Sequence, residues 1–498
     1  MRLTYRPAAI ITLAATGVFA IAVPGAAAAS SGAGAIHRAA TGQRSTAVPG
    51  GTQVWLQRFG GAFVSATASS VAASPDKAVV YVTGITAKTS IGLRNEVTVA
   101  YNATTGRQLW VQRYQGTRRH PRGGAGVPSI TVSPDGTTVY VAGDLARAGF
   151  NDYLVIAYNA TTGAQLWLTT PDTDASVAQF RAVTVSPDSK TVFVTGRRDF
   201  FGGHASRSYV TVALSAATGA TVWNTSSNTP PHVSHTLTSI AVSPDGSRVF
   251  IAGSSGIIAY DATNGIQLWM DAYKQAYRRS HLSLAVSPDS STVYITGGSM
   301  APGSVQRYWT AAIVAGNGFK MWQATYHGPA TSQATGSSAI ALSPDGSAVY
   351  VTGSAGQASG LNEYATIGYD AATGHQLWLA SYRTANVNDN AAGLAVSPDG
   401  ATVYVTGTSI ANYNTPADYA TVAYGATSGA QLWSARYAVT GAQNNAAGVV
   451  VSGGNAVVTG TSGPFGGRSQ FATLAYQGCR APPIGGRPPG GPGGRSPG

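Results

Sequence analysis

The fold is decided by one stretch near the C-terminus, Gly393-Leu-Ala-Val-Ser-Pro-Asp-Gly-Ala-Thr-Val-Tyr-Val-Thr-Gly407. Two short runs in which apolar residues alternate with small or polar ones flank a Pro-Asp-Gly turn. Pro presets φ in such a turn, and Asp and Gly accept its tight geometry. The alternation predicts two strands, Gly393–Ser397 and Thr402–Gly407, that pair antiparallel across the turn.

The rest of this unit predicts two further strands. Asp418–Tyr424 alternates as a third strand, and Gln431–Tyr437, which carries Trp433, as a fourth. No helical period occurs in the unit. Four short antiparallel strands are typical of a propeller blade, which must stack on neighbours to bury its faces.

Two landmarks repeat out of phase along the chain. Ser-Pro-Asp begins at seven positions, and Ser452-Gly-Gly454 is a degenerate eighth copy, with spacings of about 44 to 59 residues. The seven copies begin at Ser74, Ser133, Ser186, Ser243, Ser287, Ser343 and Ser397. The second landmark is a tryptophan in each unit, at Trp55, Trp110, Trp167, Trp223, Trp269, Trp322, Trp378 and Trp433. Eight of each predict an all-β, eight-bladed propeller, whereas the alternative, a β-helix, has shorter and more uniform coils.

The two chain ends predict how the ring closes. The last unit ends after three strands, without a tryptophan strand, and Gln53–Phe59 with Trp55 is a surplus strand before the first Ser-Pro-Asp. We therefore expect the N-terminal strand to complete the last blade and remove both open edges.

Composition and termini predict a secreted protein. Residues 1–29 contain two arginines, then an apolar run and then small residues, an order that predicts a signal peptide. The alternative is a membrane anchor, in which such a stretch of small residues does not follow the apolar run. Residues 30–50 form a flexible leader, 51–478 the propeller, and 479–498 a disordered Pro/Gly-rich tail. The single cysteine, Cys479, excludes an intramolecular disulfide. The net charge is +12 overall but only about +5 within the propeller.

A family resemblance follows from the segments that carry the tryptophans. Tyr101-Asn-Ala-Thr-Thr-Gly-Arg-Gln-Leu-Trp110 and its copies ending at Trp167 and Trp378 resemble the tryptophan-docking repeat of quinoprotein dehydrogenases, eight-bladed propellers that bind pyrroloquinoline quinone. The resemblance implies a structural role between blades for all eight tryptophans, which also suits a large apolar side chain with one N–H donor. The Ser-Pro-Asp-Gly turn before Val-Tyr-Val-Thr also resembles surface-layer and lactonase-like propellers.

Loop lengths predict a binding face. Turns between strands one and two and between strands three and four are short and lie on one face. Loops between strands two and three and between blades vary and lie on the other, where binding is common on a rigid scaffold. Seven of the 19 acidic residues are turn aspartates, whereas arginines lie in or beside the variable loops. The predicted ligand-binding set is Arg118, Arg119, Arg122, Arg197, Arg198, Arg278 and Arg279.

Catalytic alternatives stay open at this point. Quinoprotein alcohol dehydrogenases typically use adjacent cysteines with a calcium-binding carboxylate and amide cluster, and Cys479 stands alone. Asp172-Thr-Asp174 and Asn386-Val-Asn-Asp-Asn390 contain oxygens that suit calcium, and His232 and His235 could ligate a metal. His120, His204, His281 and His327 also lie in loops.

We therefore expect a monomeric, secreted, non-catalytic binding or scaffold propeller that does not bind membranes. Its expected partner is an extracellular polymer, an anionic one if the arginines form a patch, or a protein. No cofactor is assigned, although pyrroloquinoline quinone and calcium remain open. The alternative is a quinoprotein-like oxidoreductase or a metal-assisted lyase or hydrolase.

Overall fold

A computed structural model of the chain describes residues 49–60, 65–87, 94–115, 128–147, 150–171, 177–199, 207–228, 237–254, 256–272, 278–300, 305–329, 336–384, 388–410, 416–464 and 467–479. Within these ranges, 32 strands form eight sheets, each of four antiparallel strands. The prediction of an all-β, eight-bladed propeller is confirmed.

Seven blades follow one another along the chain after the first strand, β1 (Gln53–Phe59). Blade 1 consists of β2 (Ser65–Ala73), β3 (Val79–Ala87), β4 (Arg94–Asn102) and β5 (Gln108–Gln115). Blade 2 consists of β6 (Ser129–Val132), β7 (Thr138–Arg147), β8 (Phe150–Asn159) and β9 (Gln165–Thr169). Blade 3 consists of β10 (Val177–Val185), β11 (Thr191–Asp199), β12 (Arg207–Ser215) and β13 (Thr221–Asn228). Blade 4 consists of β14 (Leu237–Val242), β15 (Arg248–Gly253), β16 (Gly256–Asp261) and β17 (Gln267–Ala272).

The remaining blades repeat this order. Blade 5 consists of β18 (Arg278–Val286), β19 (Thr292–Met300), β20 (Arg307–Val314) and β21 (Lys320–Tyr326). Blade 6 consists of β22 (Gly336–Leu342), β23 (Ala348–Gly356), β24 (Asn362–Asp370) and β25 (Gln376–Tyr382). Blade 7 consists of β26 (Asn388–Val396), β27 (Thr402–Ile410), β28 (Ala417–Gly425) and β29 (Gln431–Tyr437). Blade 8 consists of β30 (Ala442–Ser452), β31 (Asn455–Pro464), β32 (Gln470–Gln477) and β1.

The ring closes as predicted, because β1 supplies the fourth strand of blade 8. It pairs antiparallel with β32, with Trp55 opposite Ala475 and Phe59 opposite Phe471. The first strand of every blade packs against the first strands of both neighbouring blades, including β2 against β30. These first strands therefore form the inner ring of the propeller, and the fourth strands lie outermost.

The apolar core is divided into layers between blades. One layer unites Tyr140 and Trp167 of blade 2 with Val183 and Val194 of blade 3. The layer at the ring closure combines Trp55 and Phe471 of blade 8 with side chains of blade 1. Each blade therefore buries its two apolar faces against its neighbours, as the repeat predicts.

The tryptophans lie at the outer ends of these layers. In seven of the eight, the indole N–H donates a hydrogen bond of 2.8–2.9 Å to a backbone carbonyl of the next blade. The acceptors are Ala103, Ala160, Ala216, Ala262, Ala315, Ala371 and Ala426. The eighth, Trp433, is half-buried, and its indole nitrogen has no hydrogen-bond partner among the described residues.

Several strands are longer than the sequence alternation predicts. Strand β26 begins at Asn388 rather than at the predicted Gly393. Strand β30 likewise begins early, at Ala442, ten residues before Ser452 of the degenerate turn. A bulge interrupts the register of β26 between Ala391 and Gly393, beyond which pairing continues. The extra residue shifts the alternation by one position, and polar side chains replace apolar ones beyond it. The sequence pattern therefore ends at the bulge although the ladder does not.

Candidate functional site

On the face that carries the short turns, the polar side chains form hydrogen bonds within the turns themselves. In each of the seven Ser-Pro-Asp turns, the serine hydroxyl donates to the aspartate Oδ1 at 2.5–2.6 Å. The same carboxylate accepts the backbone N–H two residues on, as from Ala78 to Asp76 at 3.0 Å. The hydroxyl of Ser74 holds the pKa of the Asp76 carboxyl below its usual value. The carboxylates of these aspartates therefore already accept hydrogen bonds within their own turns.

The turns between strands three and four close the same face in a similar way. The side-chain oxygens of Asn102, Asn159 and Asp370 each accept the backbone N–H of the threonine three residues on, at 2.8–2.9 Å. A glycine with positive φ follows in each turn, such as Gly106 and Gly374. These glycines lie against the indole of the preceding blade, which leaves no room for a side chain.

The opposite face, called here the variable-loop face, carries the loops between strands two and three and between blades. The structure describes it most fully in blades 6, 7 and 8. There the ends of the strands carry polar side chains that bond to one another across strands and across blades. This part of the face is the candidate site, and its geometry follows blade by blade.

Blade 7 contributes a row of polar residues at one level. Asp389, Ser409 and Asp418 lie opposite one another on the first three strands, β26, β27 and β28. Arg436, on the fourth strand, donates from Nη1 to Ser409 Oγ at 2.9 Å and from Nη2 to Asp418 Oδ2 at 2.8 Å. Burial disfavours the charge of the guanidinium, but the hydrogen bond to Asp418 and its charge outweigh this and raise the pKa of Arg436. The arginine is thus paired within its own blade.

Within this row, the side chain of Asp389 is fully buried. It accepts the backbone N–H of Thr384 at 3.0 Å and the hydroxyl of Thr384 at 3.2 Å. That hydroxyl in turn accepts a hydrogen bond from Arg436 at 3.3 Å. A charged group this deep needs such partners, so Asp389 holds the blade connection in place.

Blade 6 carries a second carboxylate in a similar setting. Glu363 is buried and accepts a hydrogen bond from Ser381 Oγ at 2.9 Å and another from the amide of Gln357. The oxygen of Gln357 accepts from Arg383 at 2.7 Å. In blades 6 and 7, the carboxylates of Glu363, Asp389 and Asp418 and the guanidinium groups of Arg383 and Arg436 therefore each have a polar partner within the face.

Four amide side chains line the inner ends of blades 7 and 8. They are called here the amide row and comprise Asn388, Asn390, Gln443 and Asn445. In blade 7, the oxygens of Asn388 and Asn390 accept the backbone and side-chain N–H groups of Asn362 in blade 6, at 2.9 and 3.1 Å.

Blade 8 repeats this arrangement one blade further round the ring. The oxygen of Gln443 accepts the backbone N–H of Ala417 in blade 7 at 3.2 Å, and that of Asn445 accepts the hydroxyl of Thr408 at 3.5 Å. Between these two residues, the fully buried Asn444 donates to the carbonyl of Ala417 at 2.9 Å. The row is therefore fixed by contacts between neighbouring blades.

The predicted arginines are only partly covered by the structure. Arg118, Arg119 and Arg122 lie outside the described residues. Arg197 and Arg198 lie in β11, and Arg278 and Arg279 in β18, so these four occupy strand ends rather than loops. The strands reach further into this face than their apolar pattern shows, for the reason given above. The predicted arginine patch therefore stays a prediction.

The candidate metal and cofactor residues are placed as follows. Asp172, Asp174 and Asn386, and the histidines at 120, 204, 232 and 235, fall outside the described residues; β18 contains His281, and His327 is exposed. Among the residues that the structure covers, no three His, Cys, Asp or Glu side chains group to hold a metal ion. The calcium candidates Asp172, Asp174 and Asn386 therefore stay predictions.

Cys479, assigned above to the tail, lies against the propeller. Its backbone N–H donates to the hydroxyl of Tyr404 at 3.2 Å, and the residue is half-buried. This hydroxyl is thereby used at the ring closure, just as other tyrosines of the second strands reach a carbonyl of a nearby blade, such as Tyr81 to Ala160 at 3.2 Å. Cys479 therefore contacts blade 7 through its backbone.

Sequence reasoning missed the amide row as a unit, although a signal for it exists. Asn388 and Gln443 both stand nine residues before the Ser of the turn, at Ser397 and Ser452. Asn390 and Asn445 both stand seven residues before it. Aligning the repeats on the turn serine, including the degenerate eighth copy, brings these amides to equivalent positions.

Comparison with known proteins agrees with this architecture. A repeat-family model, PQQ_2, described as "Outer membrane protein assembly factor BamB", matches residues 43–202 and 206–416. The chain belongs to this family. The predicted resemblance to propellers of the pyrroloquinoline quinone type is confirmed. No curated protein sequence matches the chain.

Solved structures show the same fold at low identity. Sqt1 from Chaetomium thermophilum matches with 12% identity and a TM-score of 0.51, over 86% of this chain and 100% of that one. Quinohemoprotein alcohol dehydrogenase from Comamonas testosteroni matches with 13% identity and a TM-score of 0.50, over 88% and 78%. BamB from Moraxella catarrhalis matches with 16% identity and a TM-score of 0.47, over 86% and 99%. The first two likenesses concern the fold alone. No helix within the described ranges is long and apolar enough to cross a membrane.

Proposed function

We propose that the chain is a secreted, non-catalytic binding propeller that recognises an extracellular polymer or protein partner through its variable-loop face. One observation carries the proposal, the contrast between the two faces. The short-turn face uses its carboxylates within its own turns, whereas the variable-loop face presents polar side chains held in place by neighbouring blades. Side chains fixed before a ligand arrives lose less freedom on binding.

The proposed location outside the cytoplasm rests on the termini. Residues 1–29 have the order of a cleaved signal peptide, followed by a leader over 30–50, the propeller over 51–478 and a Pro/Gly-rich tail. The description of the matched family, an outer membrane protein assembly factor, is compatible with such a location.

A test of the face needs no knowledge of the ligand. Ser359 and Ala372 are both exposed in blade 6, the first in the loop between strands two and three and the second in the short turn between strands three and four. In a Cys479→Ser background, Ser359→Cys and Ala372→Cys each accept a polyethylene glycol maleimide. Retention of the mature protein is then measured on a panel of immobilised neutral and anionic polysaccharides.

We expect the adduct at Ser359→Cys to weaken retention on the bound polymer by at least tenfold, and the adduct at Ala372→Cys to leave it unchanged. Equal effects of the two adducts, or an effect only at Ala372→Cys, would contradict the proposal. A quinone absorption band that appears on adding pyrroloquinoline quinone and calcium, with dye-linked oxidation of an alcohol, would support the oxidoreductase alternative instead.

The arginine set has its own arm of this experiment. Arg118, Arg119 and Arg122 are changed together to Ser, and the matched control changes Arg107, Lys190 and Lys320, which lie on or next to the short turns. If the arginines form an anionic-polymer site, the first triple variant elutes from a polyanion at lower salt and the control, with the same loss of charge, does not. Equal elution of both variants would exclude the arginine patch.

A further inference from the structure

We infer that the amide row, Asn388, Asn390, Gln443 and Asn445, binds an uncharged polysaccharide. The inference rests on the proposed function, for which it names a ligand class and a place on the variable-loop face. It is carried by the hydrogen-bonding capacity of the row, by the charge balance around it and by the location of exposed apolar side chains.

The first step concerns unused donors. Each of the four amides uses its oxygen to accept a hydrogen bond from a neighbouring blade. No hydrogen bond within the described part of the chain uses their amide nitrogens. Asn445 is exposed and the other three are half-buried. The row therefore presents four NH2 groups whose amide oxygens accept inter-blade hydrogen bonds, the longest being the 3.5 Å bond to Asn445.

The second step extends the polar surface to the next blade. Ser65 and Thr67 of β2 stand nine and seven residues before Ser74, so they occupy in blade 1 the positions of Gln443 and Asn445 in blade 8. Ser65 is exposed and Thr67 half-buried. Hydroxyl and amide groups thus follow the inner ring over three consecutive blades, 7, 8 and 1, which suits an extended chain rather than a single small molecule.

The third step concerns charge. Arg436 is paired with Asp418 at 2.8 Å, and Arg383 donates to Gln357, which also bonds to Glu363. Asp389 is buried and bonded to Thr384. In blades 6 and 7, the charged groups beside the row are therefore held by polar partners within the protein. This favours an uncharged polymer over a polyanion.

The fourth step distinguishes a sugar chain from a protein. Protein interfaces depend on central apolar or aromatic anchors. The exposed large apolar side chains among the described residues all lie in the outermost strands or the short turns that lead into them, away from the row: Val54, Leu109, Leu166, Val222, Ile266, Leu268, Phe319, Met321, Leu377, Leu379 and Leu432. Amide and hydroxyl groups without such anchors suit the hydroxyl and ring oxygens of a polysaccharide.

The test replaces the NH2 groups and keeps the shape. In the double variant Asn390→Asp/Asn445→Asp, each side chain retains an oxygen for its inter-blade bond but loses its donor. The matched control, Gln376→Glu/Gln431→Glu, makes the same chemical change at two exposed positions of the outermost strands of blades 6 and 7. The probes are a soluble uncharged β-glucan, an uncharged α-mannan and polygalacturonate, with affinity measured by gel retardation of the mature protein at low and high salt.

We expect one of the uncharged polymers to bind with an affinity that changes less than twofold with salt. The Asn390→Asp/Asn445→Asp variant should bind it about tenfold or more weakly, since two hydrogen bonds of ordinary strength are lost. The control should bind as the parent does. Equal thermal stability of the two variants shows that the fold is retained.

Three results would overturn the inference. They are unchanged binding by Asn390→Asp/Asn445→Asp, equal weakening by the control, and retention of polygalacturonate alone with a steep salt dependence. Absence of binding to either uncharged polymer would overturn it as well. The proposed function fails separately, when the adducts at Ser359→Cys and Ala372→Cys affect retention equally for every polymer that binds.

Discussion

The backbone N–H of Gly51 donates a 2.9 Å hydrogen bond to the carbonyl of Gln477, although the two residues stand at opposite ends of the propeller sequence. Gly51 has φ +82° and lies against the indole of Trp433. In blade 1 the same contacts are made within one continuous turn, where Gly106 donates to Asn102 at 2.9 Å and lies against Trp55. The ring closure thus reproduces a turn between strands three and four from two separate chain ends.

The strand that closes the ring should be as important for stability as one inside a continuous blade. Trp55 and Trp167 are both almost fully buried, and each donates to a carbonyl of the next blade at 2.8–2.9 Å. We expect Trp55→Ala and Trp167→Ala each to lower the free energy of unfolding by about 3–5 kcal/mol. Thermal unfolding of both variants checks this.

Deleting residues 51–60 provides the stronger version of the same experiment. The deletion removes β1 and leaves blade 8 with an unpaired edge and an uncovered apolar layer. We expect a lower Tm and a broader transition. An unchanged Tm in the deletion variant would be incompatible with closure by β1.

The unpaired indole of Trp433 predicts a difference between two equivalent positions. Trp378 donates to Ala426 at 2.8 Å, whereas the indole nitrogen of Trp433 has no partner in the described ranges. Replacement by Phe removes that N–H and keeps an aromatic ring. We therefore expect Trp378→Phe to cost about 1 kcal/mol more than Trp433→Phe. Chemical denaturation of the two variants measures the difference, and equal values would show that Trp433 also has a partner in solution.

The fold could be predicted almost completely from the sequence because its signals recur. A turn such as Ser397-Pro-Asp-Gly400 and a tryptophan such as Trp433 appear in all or nearly all repeats, so an error in one blade is corrected by the others. The closure was predictable as well. The sequence has one surplus tryptophan strand before the first repeat, and the last repeat lacks its fourth strand, which β1 supplies.

The candidate site was harder to predict for two physical reasons. The bulge between Ala391 and Gly393 breaks the alternation, so the pattern ends before Asn388 and Asn390 are reached. The pairing of Arg436 with Asp418 also depends on contact across two strands that lie 18 residues apart in sequence. Counting charges along the chain suggested unpaired arginines, whereas in this blade the structure brings a carboxylate to the guanidinium.

The Ser-Pro-Asp turns predict opposite effects of glycine at two equivalent positions. Their fourth residue has positive φ, 61° at Lys77 and 64° at Ser290, where most repeats have glycine. A side chain is strained in this region, and glycine is not. Ser290 compensates because its hydroxyl accepts the N–H of Asp245 in the preceding blade at 2.9 Å.

We therefore expect Lys77→Gly to raise the free energy of unfolding by about 0.5–1 kcal/mol, since no comparable bond is lost. Ser290→Gly should be neutral or slightly destabilising, because relief of strain is offset by loss of the inter-blade hydrogen bond. Stability curves of both variants in urea provide the comparison. Equal stabilisation by the two substitutions would show that the bond from Asp245 contributes nothing.

Stability should fall in acid because of the turn aspartates. The serine hydroxyls lower the pKa of Asp76, Asp289 and Asp345 in the folded protein relative to an ordinary value near 4. A lowered pKa means that the folded state favours the ionised form. The contribution of these aspartates to the free energy of unfolding is therefore present above about pH 4 and is lost as the pH falls through their lowered pKa values.

We expect Tm to change little between pH 5 and 7 and to fall steeply below pH 4. In a variant with Ser74, Ser287 and Ser343 changed to Ala, the main cause of these shifts is removed, so the acid-induced fall should be shallower from a lower starting Tm. Calorimetry across this pH range measures both slopes. Parallel curves for parent and variant would assign the acid sensitivity to other groups.

Gly407 marks a position where the ring has no space for a side chain. A methyl group there would lie 2.1 Å from the carbonyl oxygen of Asn390 and 2.8 Å from the hydroxyl of Tyr364, which reaches over from blade 6 to bond with Ala420 at 3.3 Å. Gly353 and Gly460 lie under the hydroxyls of Tyr308 and Tyr419 in the same way. The glycine that ends each Val-Tyr-Val-Thr-Gly segment therefore lets the preceding blade approach.

We expect Gly407→Ala to cost at least about 1–3 kcal/mol, the usual range for overpacking, because the backbone of β26 in blade 7 and the Tyr364 side chain of blade 6 must both move. Gly316→Ala is the matched control, since nothing lies within 4 Å of its added methyl group. That control should be neutral or slightly stabilising, because alanine reduces the freedom of the unfolded chain. Since Gly407 lies opposite the bulge that follows Asn388 and Asn390 in β26, Gly407→Ala should also weaken the binding of any ligand held by the amide row. If Gly407→Ala unfolds like the parent, blades 6 and 7 lie further apart near Gly407 than the hydrogen bond from Tyr364 to Ala420 requires.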